Sequence, residues 1–520
     1  MKSFLQRHQD QILGVLSGFD RLRFRGSLPL LQSEGGVATW LERVGVKVKD
    51  FAAYAEGLTK RLCQAVDKLA VDAGRKVEYL RSVVNKEQLV ENIRADDGVA
   101  KNGLIAVLST PEMGMSYEVY RRKDRDQSRL SRRPRRCKHF YFYWDDGKFG
   151  QTQVRLSSYF PFDAHVVLNG REWLAKQLDA KGIGYLRQDN CFVNIANFAR
   201  AQKLADQQPR IDWVGQLDRL LRRAHTLHKQ FFPEPTMVDY YWTSEQTEWA
   251  TDVLFRSSDH LQHLYRQMIR HGIDTFHSPD VMRFLGRKTP AHGGVDRRFR
   301  GQVQSDLKRL PEGVRIKHRM GKNTVKMYNK QPTLLRVETT LNDAKGLKVY
   351  RTKQDNPNGK PQWLNLRKTV IDLPRRAELS QASNERYLEA LSTIASDAPL
   401  SSLTNKLSQP VIMGNRRQRG LRPFDPNDAR LLQIVSNGKY LISGFRNRDI
   451  RITLFGDTAD ITQRRREAGK VSRKLALLRA HGLIKKVPRT HRYLLTKDGV
   501  TVIAALQAAY NAKLSQLMAA

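Results

Sequence analysis

Alternating apolar and polar residues predict three neighbouring β-strands beyond the middle of the chain. Residues 314–320 alternate apolar with basic side chains, a Gly-Lys-Asn turn follows at 321–323, and residues 324–328 continue the period of two. Residues 335–341 repeat the pattern, with apolar side chains or Thr at every second position. We therefore expect an antiparallel three-strand segment (residues 314–341) that turns one face towards a core.

The opposite face of the three-strand segment is predicted to carry positive charge, one tyrosine and one carboxylate. Its members are Arg315, Lys317, Arg319, Lys326, Tyr328, Lys330, Arg336 and Glu338. Clustered Lys and Arg side chains attract phosphate groups. This face is therefore a predicted nucleic-acid-binding surface.

Helical and strand patterns alternate in the N-terminal part of the chain. Apolar spacing predicts helices over residues 3–17, 37–44 and 50–73, and short strands over 21–26 and 104–108. Such alternation is typical of an α/β layer.

A strongly basic segment follows at residues 121–138, where ten of eighteen residues are Lys or Arg. It contains Pro134 and shows no apolar period, so we predict a loop rather than a helix. The loop residues expected to contact phosphates are Arg121, Arg122, Arg132, Arg133, Arg135, Arg136 and Lys138.

An aromatic hairpin comes directly after this basic loop. Residues 138–144 (KHFYFYW) form a predicted strand, Asp-Asp-Gly at 145–147 a turn, and residues 151–162 the returning strand. Aromatic side chains beside basic ones are typical of proteins that stack on unpaired bases. The alternative is that Phe140 and Phe142 belong to the core while the tyrosines between them cover a sheet.

The C-terminal residues show a helix, helix, helix, strand, strand pattern. Helices are predicted over 425–435, 444–455 and 460–481, and strands over 483–487 and 492–495. The run LLRAHGLIKKVPRTHRYLLTKDG resembles the corresponding stretch of MarR-like transcription regulators. The resemblance implies a winged helix over 425–520, with its third helix in a DNA major groove and its basic tip (488–491) on a phosphate or in a minor groove.

The basic residues of this region that the resemblance assigns to nucleic acid lie on the third helix and around the tip. They are Arg464, Arg465, Lys470, Arg473, Lys474, Arg489, His491 and Arg492. A winged helix that contacts only other proteins is the alternative.

The length of 520 residues and the proline-containing boundary segments predict several domains. A typical domain has roughly 150 residues. The expected fold is α/β and α+β multidomain. Its parts are an α/β domain (1–194), a helical bridge (195–232), a central α+β domain with an antiparallel basic sheet (233–400), a linker (401–424) and the winged helix (425–520).

The net charge of +39 is the strongest indication of function in the composition. The chain has 91 Lys and Arg but only 52 Asp and Glu. Such a surplus predicts a polyanionic partner, either DNA or structured RNA, through counterion release. A ribosomal type of protein, a basic enzyme or a protein drawn to acidic lipid are the alternatives. No apolar run approaches the roughly 18 residues of a membrane span, so we expect a cytoplasmic protein with no membrane partner.

Metal and redox motifs are missing from the sequence. The three cysteines are far apart, and the histidine pairs 225/228 and 260/263 lack further ligands at zinc spacing. We predict no metal from these residues and explain the histidines as core or solvated side chains. Carboxylates that converge only in space are left open; Asp20, Asp145, Asp163 and Asp239 are examples.

A short element of the three-strand segment resembles a motif of rolling-circle replication initiators. Residues 324–330 (TVKMYNK), followed by Leu-Arg-Val-Glu at 335–338, are similar to the YDK…RxE element of that family. The resemblance implies a nucleophilic Tyr328, a phosphate-neutralising Lys330, a charge-stabilising Arg336, and Glu338 as metal ligand or general base. The chain departs from the family in having no His-x-His pair.

A purely structural role for these residues is the interpretation that we favour from sequence. Tyr328 would then stack or pack, and Glu338 would pair with Arg336 or Lys326. The resulting hypothesis is a nucleic-acid-binding protein of a bacterial mobile element, related to replication or transposition. The alternatives are a DNA nicking and joining enzyme that uses Tyr328, with Mg²⁺ or Mn²⁺ as cofactor, and a winged-helix transcription regulator; homodimerisation is left open.

Overall fold

The computed structural model describes residues 1–81, 84–97, 103–122, 125–233, 238–287, 302–310, 313–353, 355–356, 358–392, 400–413, 416–437, 440, 444–488 and 490–512. The helices are α1 Lys2–Arg7, α2 Glu34–Arg43, α3 Phe51–Asp72, α4 Lys86–Asp97, α5 Gly170–Ala180, α6 Phe198–Ala205, α7 Trp213–Ala224, α8 His228–Phe231, α9 Ser258–Asp274, α10 Ser278–Phe284, α11 Leu373–Leu391, α12 Leu400–Ser408, α13 Pro426–Val435, α14 Asn447–Phe455, α15 Ile461–Ala480 and α16 Lys497–Asn511. Short 3-10 helices cover Gln9–Gln11, Pro29–Gln32, Val48–Asp50, Gln208–Arg210 and Val370–Asp372.

The strands are β1 Ile12–Ser27, β2 Val77–Tyr79, β3 Leu104–Arg122, β4 Arg125–Asp146, β5 Gly150–Ser157, β6 Ala164–Asn169, β7 Tyr185–Gln188, β8 Cys191–Ile195, β9 Tyr241–Phe255, β10 Val303–Leu310, β11 Gly313–Met320, β12 Asn323–Gln331, β13 Leu334–Leu341, β14 Lys348–Arg351, β15 Gln362–Asn365, β16 Val411–Met413, β17 Arg416–Gln418, β18 Phe445–Arg446, β19 Ile484–Lys486 and β20 Arg492–Leu495.

One large mixed sheet organises the first of two compact bodies, the sheet body (residues 8–263 and 305–386). Among the described residues the sheet has eleven strands in the order β10-β11-β12-β13-β9-β1-β6-β5-β4-β3-β2. β2 runs parallel to β3, and the registered pairs from β11 to β3 are antiparallel. The protein is therefore a mixed α/β chain with a large sheet and many helices.

The centre of the sheet joins strands that lie far apart in sequence. β1 pairs with β6 on one side and with β9 on the other, and β9 pairs with β13. The ranges 1–194 and 233–400, predicted as separate domains, therefore contribute strands to one sheet. The register of such pairs depends on contacts between distant segments, which the local pattern does not encode.

The N-terminal helix predicted over residues 3–17 ends at Arg7, and residues 12–27 form β1 instead. β1 has hydrogen-bonded neighbours on both edges, and this tertiary pairing overrides the local helical pattern. A Cβ at Gly14 would overlap the Phe198 ring, so close packing against α6 also requires this glycine. The predicted helices at 37–44 and 50–73 and the strand at 104–108 are confirmed as α2, α3 and the start of β3.

The prediction of a loop over the basic residues 121–138 is also wrong. From Arg125 onwards this segment is part of β4, paired with β3 along its whole described length. β5 pairs only with residues 139–146, so the basic half of β4 is an edge where Pro134 is tolerated. Its apolar period is missing because exposed side chains occur on both faces there.

The helices in the range 195–232, predicted as a bridge between two domains, are part of the sheet body instead. α6, α7 and α8 belong to the sheet body, and Trp213 of α7 packs against Phe24 of β1 with ring centroids 5.3 Å apart. On one face of the sheet α11 closes the centre, because Asn384 accepts a hydrogen bond from Thr339 at 2.7 Å and Gln381 accepts one from Trp249 at 2.7 Å.

The second compact body, the C-terminal body, comprises residues 1–7, 264–304 and 387–520. Its C-terminal core contains Leu431, Ile450, Val471, Leu475 and Ile503, and β18, β20 and β19 form a small sheet beside α15. The range 401–424, predicted as a linker, contains most of α12 and the β16–β17 hairpin, and Leu407 and Leu421 are buried in this core. Within the described residues, no helix is long and apolar enough to cross a bilayer.

Candidate functional site

Three carboxylates converge on the face of the sheet opposite α11. Oxygen atoms of Asp20 in β1, Glu248 in β9 and Glu338 in β13 all lie within 4.8 Å of one another. Asp20 reaches this position from a β-bulge in β1. At the bulge, the two residues Asp20 and Arg21 of β1 lie opposite the single residue Glu248 of β9. A bulge redirects the side chains of the strand that contains it. These three residues are the acidic cluster.

Lys326 and Tyr328 of β12 contact the same carboxylate of this cluster. Lys326 is the registered neighbour of Glu338, and its Nζ lies 2.6 Å from Glu338 Oε1 and 3.8 Å from Glu248 Oε1. The Tyr328 hydroxyl donates a hydrogen bond of 2.8 Å to Glu338 Oε2. Alternate residues of β12 therefore place an ammonium group and a phenol on the two oxygens of one carboxylate.

Arg336 holds Asp20 in place from beneath the cluster. Its guanidinium contacts Asp252 through two hydrogen bonds of 2.6 and 2.8 Å and donates a third, of 2.8 Å, to Asp20 Oδ2. Arg171 Nη2 lies 3.0 Å from Asp252. The Asn190 side-chain amide donates to the other oxygen of Asp20. Because Arg336 and Asp252 are completely buried, this network is a rigid support for Asp20.

The electrostatics of the cluster differ between its members. Burial and the nearby Glu338 carboxylate raise the pKa of Glu248 from 4.5 to about 7. Burial also acts on Glu338, but the Lys326 ammonium outweighs it and lowers the pKa of that carboxyl. Burial and the Glu338 charge raise the pKa of Tyr328 well above its ordinary value. Near neutral pH, a cation that binds to the cluster can therefore take the place of the proton on Glu248.

A basic recess of about 380 Å³ opens beside the acidic cluster. It is lined by Gln246, Glu248, Lys317, Arg319, Gly321, Lys322, Thr324, Lys326, Thr340 and Asn342. Burial, then repulsion from Arg319, Lys326 and Arg315, lowers the pKa of Lys317. Cations that repel one another in this way favour binding of an anion.

A second recess of about 250 Å³ continues along the same polar surface. Its lining residues are Arg21, Arg23, Glu112, Tyr141, Gln153, Arg155, His165, Val167 and Gln246. Gln246 borders both recesses, and its amide donates a hydrogen bond of 2.9 Å to Glu248 Oε1. Arg155 pairs with Glu112 at 2.7 Å, while its Nε is buried without a hydrogen-bond partner. The two recesses therefore form a polar strip, with the acidic cluster beside its first part.

The structure brings together several residues that the sequence predicts on one face of the three-strand segment. Lys317, Lys326, Tyr328, Arg336 and Glu338 share a face by strand register. The predicted exposure of this face is wrong for Arg336 and Glu338, which are buried. The reason is that β13 has β9 on its other edge and is buried along its whole length. Arg315 and Lys330 are half-buried, and Arg319 is exposed.

Sequence reasoning missed Glu248. Gln246, Glu248 and Asp252 lie an even number of residues apart in β9, so they share one face of that strand, and this alternation was a usable signal. Of the other carboxylates considered, Asp145 lies 3.5 Å from Arg94 and Asp163 pairs with Arg25. Neither belongs to the acidic cluster, and neither does Asp239, which borders the cavity at His225 and His228.

The predicted phosphate-binding residues of β4 have mixed surroundings. Arg133, Arg136 and Lys138 are exposed. Arg132 donates hydrogen bonds to Gln32, and the Arg135 guanidinium lies 4.3 Å from the centroid of the Tyr159 ring. The side chains of Arg121 and Arg122 are outside the described residues.

The basic residues predicted on the third C-terminal helix lie along α15. Arg464, Arg465, Lys470 and Arg473 are exposed, whereas Lys474 is half-buried. His491 is exposed and Arg492 is half-buried at the start of β20, while Arg489 is outside the described residues.

Comparison with protein-family models, with curated proteins and with solved structures gives no match for this chain. The acidic cluster and its surroundings therefore have to be interpreted from their own geometry.

Proposed function

We propose that this protein binds nucleic acid along the polar strip of the sheet and cleaves a phosphodiester bond with the help of a divalent cation. The observation that carries the proposal is the acidic cluster, whose three carboxylates meet from β1, β9 and β13 beside a recess lined by lysine and arginine. Carboxylates that bind a cation next to cations that attract phosphate form a common arrangement for phosphoryl transfer.

The residues fit a hard divalent cation such as Mg²⁺ or Mn²⁺. Such ions prefer carboxylate oxygen ligands, and the cluster offers one oxygen from each of three side chains. The ion pairs in and beneath the cluster join four carboxylates to three cationic side chains: Asp20, Asp252, Glu248 and Glu338 with Arg171, Lys326 and Arg336. A bound cation would polarise a phosphate oxygen and replace the proton that Glu248 otherwise takes up.

The chain's own residues would orient the substrate. Lys326 neutralises Glu338 and faces the first recess, so it can contact a phosphate beside the cluster. Lys317 and Arg319 add positive charge to the wall of the same recess. The second recess would hold a neighbouring nucleotide, since Arg21, Arg23 and Arg155 line it with positive charge.

Tyr328 is a second candidate for the attacking group, alongside water, because its hydroxyl already donates to Glu338. In that reaction Tyr328 Oη forms a bond to phosphorus, its proton passes to Glu338, and the bond from phosphorus to the leaving sugar oxygen breaks. The leaving oxygen then takes a proton from solvent. The raised pKa of Tyr328 makes this transfer to Glu338 necessary.

The test is cleavage of supercoiled plasmid and of oligonucleotides by the purified chain with Mg²⁺, with Mn²⁺ and with EDTA. We expect cleavage only with a divalent cation, and loss of at least a hundredfold in Asp20→Asn or Glu338→Gln, because removal of one ligand weakens or misplaces the cation. Glu172→Gln is the matched control, since Glu172 is a half-buried carboxylate outside the cluster. Absence of cleavage by the parent with either metal contradicts the proposal.

Denaturing gels of the same reactions decide between tyrosine and water. A nucleophilic Tyr328 predicts a protein-linked DNA product that disappears in Tyr328→Phe. Cleavage without a protein-linked product, retained in Tyr328→Phe, assigns the attack to water.

The C-terminal body supports a duplex-binding role. α13, α14 and α15 followed by the β19–β20 hairpin have the element order of a winged helix, and α15 exposes Arg464, Arg465, Lys470 and Arg473. We propose that this region holds double-stranded DNA while the sheet acts on a strand. Together these activities are those of a replication or transposition protein of a bacterial mobile element.

A further inference from the structure

The hairpin β14–β15 carries two large aromatic side chains on its outer surface. Tyr350 and Trp363 are directly opposite in the strand register, with ring centroids 5.5 Å apart at an angle of 54°. Their exposed fractions are 57% and 52%. The inner face of the hairpin is ordinary core, because Val349 is buried with Leu341, Leu347 and Leu366. The aromatic pair therefore lies on the face of the hairpin that is turned away from this core.

The surroundings of this pair are strongly basic. Residues 345–368 contain seven Lys or Arg and one carboxylate, Asp355. The exposed lysines among them are Lys345, Lys348, Lys353, Lys360 and Lys368. The outer face of the two strands has no aliphatic side chain, since Lys348 and Asn365 are the neighbours of the pair. Cations around flat aromatic surfaces match a chain of phosphates and bases better than an apolar protein surface or a lipid tail.

The hairpin also lies close in sequence to the polar strip. Thr340 and Asn342 line the first recess, and β14 begins at Lys348. Lys348 is eight positions after Thr340, so even a fully extended chain would place the two at most about 28 Å apart. A strand held in the recess can therefore reach the hairpin within a few nucleotides.

We propose that Tyr350 and Trp363 form a stacking platform for unpaired bases of single-stranded nucleic acid, with the neighbouring lysines on its phosphates. The bases of a duplex are already stacked on one another, whereas an unpaired base can lie on an aromatic ring. The platform rests on the nucleic-acid partner proposed above, and it does not depend on cleavage. It adds a substrate class, a strand with unpaired bases, to that proposal.

The experiment measures the affinity of the full-length protein, in EDTA, for labelled oligothymidylate and for a closed duplex dumbbell. Trp363→Ala and Tyr350→Ala should each weaken oligothymidylate binding about 5- to 150-fold, the usual range for loss of one stacked base. Binding to the dumbbell should not change, provided that its two ends are closed by non-nucleotide linkers, so that it contains no unpaired bases. Trp363→Phe should retain most of the affinity, because it keeps an aromatic ring.

Salt dependence separates stacking from charge. Trp363→Ala should leave the slope of log Kd against log salt unchanged, whereas Lys348→Ala should lower it by about 0.7 for a single strand. Tyr79→Ala is the matched control, since Tyr79 is 53% exposed and lies on β2, an edge strand of the eleven-stranded sheet, to which the hairpin does not belong. It should bind both ligands as the parent does.

Three results would overturn the platform. Parental affinity of Trp363→Ala for oligothymidylate would refute stacking while leaving the proposed function standing. An equal loss of affinity for oligothymidylate and for the dumbbell would show that the hairpin is distorted or that charge is responsible. Trp363→Val keeps a strand-forming residue, so it should lose affinity for the single strand alone. Failure of the parent to bind either nucleic acid would refute the partner, and with it both proposals.

Discussion

Replacing Glu248 by glutamine should make the sheet body more stable at pH 8 and leave it nearly unchanged at acidic pH. Glu248 is a carboxylate with an exposed side-chain fraction of only 16%, close to Glu338. Its pKa rises from 4.5 to about 7 because burial and the second carboxylate disfavour the charged form. Glutamine keeps the shape and removes the charge.

The magnitude follows from the proton-binding equilibrium. One unit of pKa corresponds to about 1.4 kcal/mol, so the difference between the folded and unfolded chain corresponds to about 3 kcal/mol. Below pH 4.5 the carboxyl is protonated in both states and has no effect. Between pH 4.5 and about 7 the unfolded chain releases the proton first, so folding stability falls as the pH rises. Above pH 7 the loss is complete, and Glu248→Gln should be more stable than the parent by about 3 kcal/mol.

Urea unfolding followed by tryptophan fluorescence measures this difference. All seven tryptophans lie in the sheet body, so their fluorescence reports the unfolding of that body. Magnesium at about 100 times its Kd should restore about 2.7 kcal/mol to the parent at pH 8. It should restore much less to Glu248→Gln, which lacks one ligand.

The control for this measurement is Glu172→Gln, whose effect on stability should not grow between pH 5 and pH 8. The reasoning is refuted if Glu248→Gln destabilises the sheet body at pH 8. It is equally refuted if the difference from the parent is the same at both pH values.

Three further outcomes follow from the side chains around the site and along α15. Arg336→Met should destabilise the sheet body by about 3–5 kcal/mol in the same urea assay, because Asp252 is left buried without its main partner; a change below 1 kcal/mol would contradict the network. Lys317→Met should lower the slope of log Kd against log salt for oligothymidylate by about 0.7, because one phosphate contact is lost. An unchanged slope would show that Lys317 contacts no phosphate. Arg465→Ala combined with Arg473→Ala should weaken binding to the duplex dumbbell and reduce its salt slope by about 0.9 for each phosphate that is no longer neutralised; weaker binding to oligothymidylate alone would contradict a duplex-binding α15.

Local pattern was sufficient for elements whose hydrogen bonds or packing come from nearby residues. The period of two over 314–341 predicted β11, β12 and β13 and the face that Lys326, Tyr328 and Glu338 share, because successive strands joined by short turns pair with one another. The helical period likewise predicted α15 and its buried Val471 and Leu475. The surplus of lysine and arginine, a property of composition, indicated the partner class that we propose.

Only the tertiary structure decided where the acidic cluster forms. Its members are separated by more than two hundred residues between Asp20 and Glu248 and by ninety between Glu248 and Glu338, and they meet because β9 pairs with both β1 and β13. The same pairing turned the predicted helix over 12–17 into a strand, and the pairing with β3 turned the basic segment of β4 from a predicted loop into an edge. A local pattern records which face of its own strand a side chain shares. The register between distant strands is set by long-range packing, and it alone brings three carboxylates within 4.8 Å.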